Sequence, residues 1–454
     1  MQSKSVINIG RKDVIWNYLA TFLQIGSGIL LFPIILRLLP SETIGVWSIF
    51  VTISTFVALF DFGFDPSFTR NITYIFSGVN RLETNGISDE YSQGNINYNL
   101  LASTIRAMRW FYSRIAWVVF FVLISVGSFY LYHILNKGYT GDKLQIEIAW
   151  LLFCVVNTYN IYTLYYDSLV MGSGKVMRNK QVIIVSQSIY LLIAVILIYM
   201  GWGLLAIVIA QGVSLIIKRY FSHRIFFNNR ELKVQLQRAN SEGFKDVIRI
   251  LFPNSIKLGL TSLGAFLIMQ SSVFVGSLYL SLDQIASYGI TMQIVAVIGS
   301  LSAVYYTSYV PKVTLLRVYD ENANIEKIYQ RCVLILVATF LIFGVGLFFF
   351  GNWSLTILKS QTSFLNGGML IAILFIMMLE KNHAVAGGFL LTQNQVPFFK
   401  ASLFTGLITV LFLLIFIKYL HWGVWGMILA PGIANVYNNI KWPYETIKQL
   451  KQQI

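Results

Sequence analysis

Three polar residues, Glu380, Lys381 and His383, lie in the middle of a long apolar stretch of the sequence. A charged side chain at the centre of a membrane helix costs about 2.5 to 3.5 kcal/mol, so it faces a partner, a cavity or water and not lipid. On a helix, Glu380 and His383 share one face and Lys381 lies on another. We predict that Lys381 contacts an anionic group and that Glu380 or His383 exchanges a proton. Pairing with a neighbouring helix is the structural alternative.

A further lysine, Lys257, also falls within an apolar stretch, on one helical stripe with Asn254. It could bind a phosphate group, or its long side chain could reach back to the membrane surface. Polar residues in two other apolar stretches suit contacts with sugars, although hydrogen bonds between helices explain them almost as well. These residues are Asn17 and Gln24 in the first stretch and Asn160 and Asp167 in the fourth.

Five residues near the ends of the first two apolar stretches are predicted to have structural or gating roles. Asp61, Asp65 and Arg70 lie at the end of the second stretch, and we expect Arg70 to pair with an aspartate. Arg37 lies near the end of the first stretch and is a gate contact or a surface anchor. Pro33 predicts a kink there, because proline removes one backbone hydrogen bond of a helix.

The elements that position these residues are apolar helices. The chain has 454 residues, of which 56% are hydrophobic and 12% are charged, so it is much more apolar than a soluble domain. Helices satisfy their own backbone hydrogen bonds in lipid, and these stretches are too long for barrel strands. The predicted spans are 14–39, 42–65, 109–136, 146–171, 180–200, 202–222, 250–280, 284–310, 329–351, 364–391, 398–420 and 422–442.

Basic residues predict the orientation of these spans. Most of the 34 Lys and Arg residues fall at the N-terminus or in loops after even-numbered spans, which predicts that both termini are cytoplasmic. This bias accounts for the net charge of +15 without a nucleic-acid partner. The N-terminal segment predicts no cleaved signal peptide. Cys154 and Cys332 lie in apolar stretches and predict neither a disulfide framework nor a metal site.

Two sequence matches link the halves of the chain. Residues 202–212 and 422–432 share a Trp-Gly-x-x-small pattern followed by aliphatic residues, Ala and Gly. Residues 42–49 and 283–290 share an acid-x-Ile-small-x-aromatic-x-Ile pattern. The matches pair the second span with the eighth and the sixth with the twelfth, so six helices repeat. An even number of helices gives both copies the same orientation in the membrane.

We therefore predict an all-α polytopic membrane protein of about twelve spans in two six-helix lobes. The lobes are related by a pseudo-twofold axis along the membrane normal, and a site between them is expected. The predicted N-terminal lobe is 1–222, the basic cytoplasmic linker is 223–249 and the C-terminal lobe is 250–454.

The segment 32–47, together with the Phe-Asp-Phe-Gly-Phe sequence at 60–64 and Thr69-Arg70, resembles a known N-terminal signature. It is similar to that of bacterial polysaccharide-biosynthesis flippases, the O-antigen (Wzx-like) branch of the MOP exporter superfamily. The resemblance implies a V-shaped pair of lobes around a cavity. It also implies that a polyprenyl-diphosphate-linked oligosaccharide moves by alternating access to the outer leaflet, for surface polysaccharide assembly. The polar insert 77–99 departs from this pattern.

The same resemblance implies the location and partners of the chain. We expect a monomer in the bacterial cytoplasmic (inner) membrane that interacts with the lipid-linked glycan, membrane lipids and polysaccharide assembly proteins. No organic cofactor or metal is implied, although H⁺ or Na⁺ could drive the transport.

Three other classes of protein have similar numbers of spans. A MATE-like drug or cation antiporter of the same superfamily would share the architecture. A membrane glycan polymerase or ligase needs a large outer loop with catalytic residues, whereas the predicted outer loops are short and no catalytic motif is evident. A major facilitator importer needs a Gly- and Arg-rich loop after the second span, where residues 61–70 read DFGFDPSFTR. We therefore predict a transporter and not an enzyme.

Overall fold

The computed structural model describes residues 16, 19, 23, 31–76, 78–84, 96–318, 322–391 and 398–452. At 254, 258, 307–308, 310–312, 314–318, 322, 391 and 452 it describes the backbone only. All regular elements in this part of the chain are helices, and the prediction of an all-helical membrane protein is confirmed.

The first helical segment, α1, is described over 31–38. The following helices of the first half are α2 (Ser41–Ala58), α3 (Phe64–Phe76), α4 (Tyr98–Val122), α5 (Ser128–Gly138), α6 (Lys143–Tyr162), α7 (Tyr165–Gly172), α8 (Val176–Tyr199), α9 (Gly203–Phe227) and α10 (Arg230–Arg238). A 3-10 turn over Leu59–Asp61 extends α2, and a π-helical turn over Leu123–Gly127 joins α4 to α5.

The helices of the second half are α11 (Phe244–Met269), α12 (Ser271–Tyr279), α13 (Leu282–Val318), α14 (Asn322–Ile357), α15 (Gly367–Leu391), α16 (Phe399–Leu413), α17 (Val424–Ala434) and α18 (Val436–Gln452). A π-helical turn over Leu414–Tyr419 extends α16.

The described helices divide into two compact units. Unit 1 extends to Leu38 and from Ser54 to Gly259, whereas unit 2 comprises Leu39–Ile53 and the chain from Leu260. Residues 39–53 therefore group with the second half of the chain. The predicted lobes 1–222 and 250–454 stay a prediction.

Within the described residues, nine helices are long and apolar enough to cross a membrane, and a tenth if the two parts of α11 form one bent span. Pro253 lies within α11, where proline breaks the helical hydrogen-bond pattern. Two single spans of the prediction are each divided: 250–280 by Gln270, between α11 and α12, and 422–442 by Asn435, between α17 and α18.

The third span begins earlier than its predicted start at residue 109. The side chain of Asn97 accepts a hydrogen bond from the Leu100 N–H at 3.0 Å and caps the first turn of α4. An N-cap satisfies a backbone N–H that has no partner inside the helix. The helix therefore begins among the polar residues that follow the insert, where hydropathy alone gives no signal.

Aromatic packing holds α3 against α4 in unit 1. The rings of Phe64 and Phe111 stack with centroids 3.9 Å apart, and Tyr112 is fully buried beside Phe68. The turn before α3 requires left-handed backbone at Phe62 and Gly63, with φ of 49° and 72°. Across this turn the Asp65 N–H donates a hydrogen bond to Asp61 Oδ1 at 3.1 Å.

Candidate functional site

A cavity of about 260 Å³ lies within unit 2 among α11, α15, α16 and α18. Its wall includes Glu380, His383 and Ala384 of α15, in line with their helical spacing. Ser402 of α16 and Asn438 of α18 add further polar groups. A polar cavity inside an apolar helical bundle is a candidate site for an ion or a proton.

A chain of hydrogen bonds from α18 ends on the Glu380 carboxylate. Trp442 Nε1 donates to Asn438 Oδ1 at 3.0 Å, and Asn438 Nδ2 donates to Asn435 Oδ1 at 2.8 Å. Asn435 Nδ2 in turn donates to Glu380 Oε2. Each amide accepts from one neighbour and donates to the next, so the bonds polarise one another toward the carboxylate.

His383 lies beside the same carboxylate. Its Nδ1 is 2.7 Å from Asn439 Oδ1 and 3.8 Å from Glu380 Oε2. Because the amide oxygen can only accept a hydrogen bond, Nδ1 carries the proton in this arrangement. Glu380 and His383 each have 16% of their side chains exposed, and both line the cavity. The proton exchange expected of this pair stays a prediction.

Neither Lys381 nor Lys257 lines this cavity. The aliphatic stem of Lys381 packs against α13, where a Cβ added to Gly299 would come within 2.7 Å of Lys381 Cε. Lys381 is not among the residues of the cavity wall. Lys257 is exposed near the middle of α11, within unit 1. Lys381 therefore packs against α13 and does not line the cavity.

Unit 1 contains a second buried charged cluster, formed by α6, α7 and α9. Asp167 Oδ2 accepts from Lys218 Nζ at 2.8 Å and lies 2.9 Å from Arg219 Nη1. Arg219 Nη2 donates to Asn160 Oδ1 at 3.0 Å, and the Arg219 side chain is only 2% exposed. Asn160 and Asp167, which the sequence placed on one stripe, therefore share one partner.

The two aspartates around the α2–α3 turn have neutral partners. Tyr112 donates its hydroxyl proton to Asp61 Oδ1 at 2.7 Å, and Ser168 donates to Asp65 Oδ1. Arg70 is exposed and forms no ion pair with Asp61 or Asp65, so the expected pairing of Arg70 with either of these two aspartates is wrong. The physical reason is helix geometry: Arg70 lies on a different face of α3 from Asp65.

The remaining predicted site residues are described only by their position or lie outside the described residues. Asn17 and Gln24 lie outside the described residues, and the side chain of Asn254 is not described. Arg37 is exposed at the end of α1. Pro33 lies within the helical residues 31–38, and its predicted kink stays a prediction. Among the described residues, no three His, Cys, Asp or Glu side chains could hold a metal ion together.

Sequence reasoning identified only some of the residues in the unit 2 site and in the unit 1 charged cluster. The adjacent Asn438 and Asn439 in the last predicted span were a signal for the unit 2 site, as were Lys218 and Arg219 for the unit 1 cluster. Lys218 and Arg219 lie just before the predicted end of the sixth span. They were therefore counted among the basic residues on the cytoplasmic side, and not as partners of Asp167. Nothing in the sequence indicated Tyr112 and Ser168 as the partners of Asp61 and Asp65.

Comparison with solved structures identifies the fold. An inward-facing MATE multidrug transporter of the MOP superfamily aligns with a TM-score of 0.66 and 15% identity, covering 96% of this chain and 95% of the transporter. The lipid II flippase MurJ, in an inward closed conformation, aligns with a TM-score of 0.65 and 14% identity, covering 97% and 90%. A MOP superfamily transporter from Pyrococcus furiosus aligns with a TM-score of 0.52 and 13% identity, covering 100% and 99%.

No family model and no curated protein matches the sequence. The fold is nevertheless defined by the structural likeness. This multi-pass membrane chain has the two-lobe, all-helical fold of MOP superfamily transporters. The three solved structures compared above are a multidrug MATE transporter, a lipid II flippase and a further MOP superfamily transporter.

Proposed function

We propose that this chain is a flippase of the Wzx-like branch of the MOP superfamily. It moves a polyprenyl-diphosphate-linked oligosaccharide from the cytoplasmic to the outer leaflet of the bacterial inner membrane by alternating access, for surface polysaccharide assembly. The lipid II flippase among the structures of this fold supports a lipid-linked substrate. The N-terminal signature supports the same branch.

The observation that carries the proposal is a pair of cationic residues in apolar helices. Lys257 lies near the middle of α11 and Lys381 near the middle of α15. A lysine at such a position is retained where it meets a protein partner, water or an anion, because its burial in lipid is costly. A diphosphate offers such an anion, whereas an organic cation would be repelled. This charge favours the lipid-linked glycan over the cationic substrate of a drug antiporter.

The unit 2 cavity has a different role in this proposal. Its volume of about 260 Å³ is small for a sugar chain, because sites for drug-sized ligands occupy roughly 300 to 1,000 Å³. We assign it to the coupling ion, with Glu380 and His383 exchanging a proton. Na⁺ is the second candidate, since the Glu380 carboxylate and the neighbouring amide oxygens are ligands that a hard cation accepts.

The substrate is tested by transport in reconstituted vesicles. We expect the purified chain to translocate a fluorescent polyprenyl-diphosphate disaccharide, and Lys257→Gln and Lys381→Gln each to slow it by about tenfold, the effect of one lost charge contact of about 1.4 kcal/mol. Lys327→Gln, at an exposed lysine of α14, is the matched control and should leave the rate unchanged. Full activity of both variants would contradict the proposal. Transport of an organic cation but not of the glycan would establish the antiporter instead.

The coupling role of Glu380 is tested by a pH gradient. Glu380→Gln can still accept the hydrogen bond from Asn435 but cannot ionise, so the flipping rate of this variant should no longer respond to the gradient. Glu147→Gln, at an exposed glutamate of α6, should respond as the wild type does. If the wild type responds to a Na⁺ gradient and not to pH, Na⁺ is the coupling ion. A Glu380→Gln variant with an undiminished pH response would contradict the assignment.

A further inference from the structure

A larger cavity lies in unit 1 between the beginning of α8 and the end of α9, and it shares no lining residue with the cavity of unit 2. Its volume is about 550 Å³. Three cations, Lys175, Arg178 and Arg224, line one part of it, and the amides of Gln181 and Asn228 lie beside them. The proposed transport cycle makes no use of this pocket.

The positive charge in this pocket is not neutralised by any described carboxylate. Within the described part of the chain, none of the three cations forms an ion pair with a carboxylate. Lys175 Nζ donates to the backbone oxygen of Ile225 at 2.8 Å, and Arg224 lies 4.8 Å from the centre of the Tyr220 ring. Both contacts leave donors available. Burial lowers the pKa of the Lys175 ammonium, and an anion bound beside it would offset that effect.

The rest of the pocket is apolar and faces outward. Val182, Val185, Phe221 and Ile225 form its wall, and Val185 and Phe221 are 43% and 40% exposed. These residues lie on α8 and α9, two of the helices that are apolar enough to cross the membrane. In a bilayer this surface contacts acyl chains. The pocket therefore presents cations at one end and an acyl-chain surface at the other.

The position of the pocket agrees with a membrane surface. Lys175 lies between two candidate spans, on the side that the positive-inside rule predicts to be cytoplasmic. No side chain caps the start of α8, so its first backbone N–H groups also favour an anion there. Basic pockets between helices on this side of a membrane suit phosphate-bearing headgroups.

We propose that this pocket is a binding site for an anionic phospholipid of the inner leaflet. Lys175, Arg178 and Arg224 contact the phosphate, and an acyl chain lies along Val185 and Phe221. The site is independent of the transported substrate, because it depends only on the α8–α9 pocket and its orientation in the membrane. Phosphate is also present in free anions and in polyprenyl diphosphates, so the test compares these three sources.

Native mass spectrometry of the full chain in detergent measures the binding. The wild type should bind phosphatidylglycerol in preference to phosphatidylethanolamine. The Arg178→Gln/Arg224→Gln variant should lose about tenfold or more in affinity for phosphatidylglycerol, since each cation near the surface contributes about 1 kcal/mol to anionic-lipid binding. Arg178→Lys/Arg224→Lys keeps the charge and should retain most of the affinity.

The matched control is Lys233→Gln/Arg238→Gln, which removes two exposed cations of α10 outside the pocket. It should bind phosphatidylglycerol as the wild type does. Equal losses in the pocket variant and this control would overturn the proposal in favour of diffuse surface charge. Equal binding of the two phospholipids, or competition by inorganic phosphate at the same concentration, would also overturn it. Displacement of phosphatidylglycerol by a polyprenyl diphosphate at lower concentration would reassign the site to the carrier lipid.

Discussion

Asp167→Ala should destabilise unit 1 by about 3 to 5 kcal/mol, because it leaves Lys218 and Arg219 without their acidic partner. Arg219 is 2% exposed and cannot turn to water without moving α9. Thermal unfolding in detergent, followed by intrinsic tryptophan fluorescence, should show a Tm lower by about 5 to 10 °C. The loss follows from an uncompensated buried charge and not from lost packing volume.

Two variants separate the charge effect from general damage to the fold. Glu147→Ala removes an exposed carboxylate from α6 and should change stability by no more than about 0.5 kcal/mol. Asp167→Ala combined with Arg219→Met removes a buried charge of each sign and should recover part of the loss. If Asp167→Ala unfolds at the same temperature as Glu147→Ala, the cluster does not stabilise unit 1.

The sequence predicted the helices well where the membrane itself sets their length. A span must be apolar over the thickness of the bilayer and must satisfy its own backbone, and both demands are visible in hydropathy. Breaks of a single residue are not visible in this way. Gln270 and Asn435 each lower the average hydropathy of a long apolar run only slightly, so each run was predicted as one span.

For the candidate site, the sequence predicted which residues share a face of one helix, but not which helices contact each other. Helical spacing placed Glu380 and His383 on one face, and the structure has both on the cavity wall. Their partners Asn435 and Asn439 come from α18, and a contact between two helices depends on how they pack. From the sequence of α15 alone, a contact of Glu380 and His383 with another helix could be expected. The residues that form this contact could not be identified in the same way.

The two copies of one repeated sequence pattern are in contact with each other in the structure. Residues 42–49 of α2 and 283–290 of α13 are the two copies of one pattern, and they pack against each other within unit 2. A Cβ added to Gly45 would lie 2.5 Å from the backbone oxygen of Leu282. A Cβ added to Gly289 would lie within 2.8 Å of the Ser48 Cβ. Small residues in both copies thus allow the helices to approach closely.

Gly45→Val should therefore be the most damaging single substitution in this contact, with an expected loss of about 3 kcal/mol or more. The atom opposite Gly45 belongs to the backbone, so no side-chain rotation relieves the clash and α2 must move away from α13. Gly346→Val is the matched control, since a Cβ at this position of α14 meets nothing within 4 Å. It should change stability by no more than about 1 kcal/mol, as glycine and valine are both weak helix formers. Thermal unfolding of the two variants in the same detergent measures the difference. Equal unfolding temperatures would show that residues 42–49 and 283–290 do not need their close contact for stability.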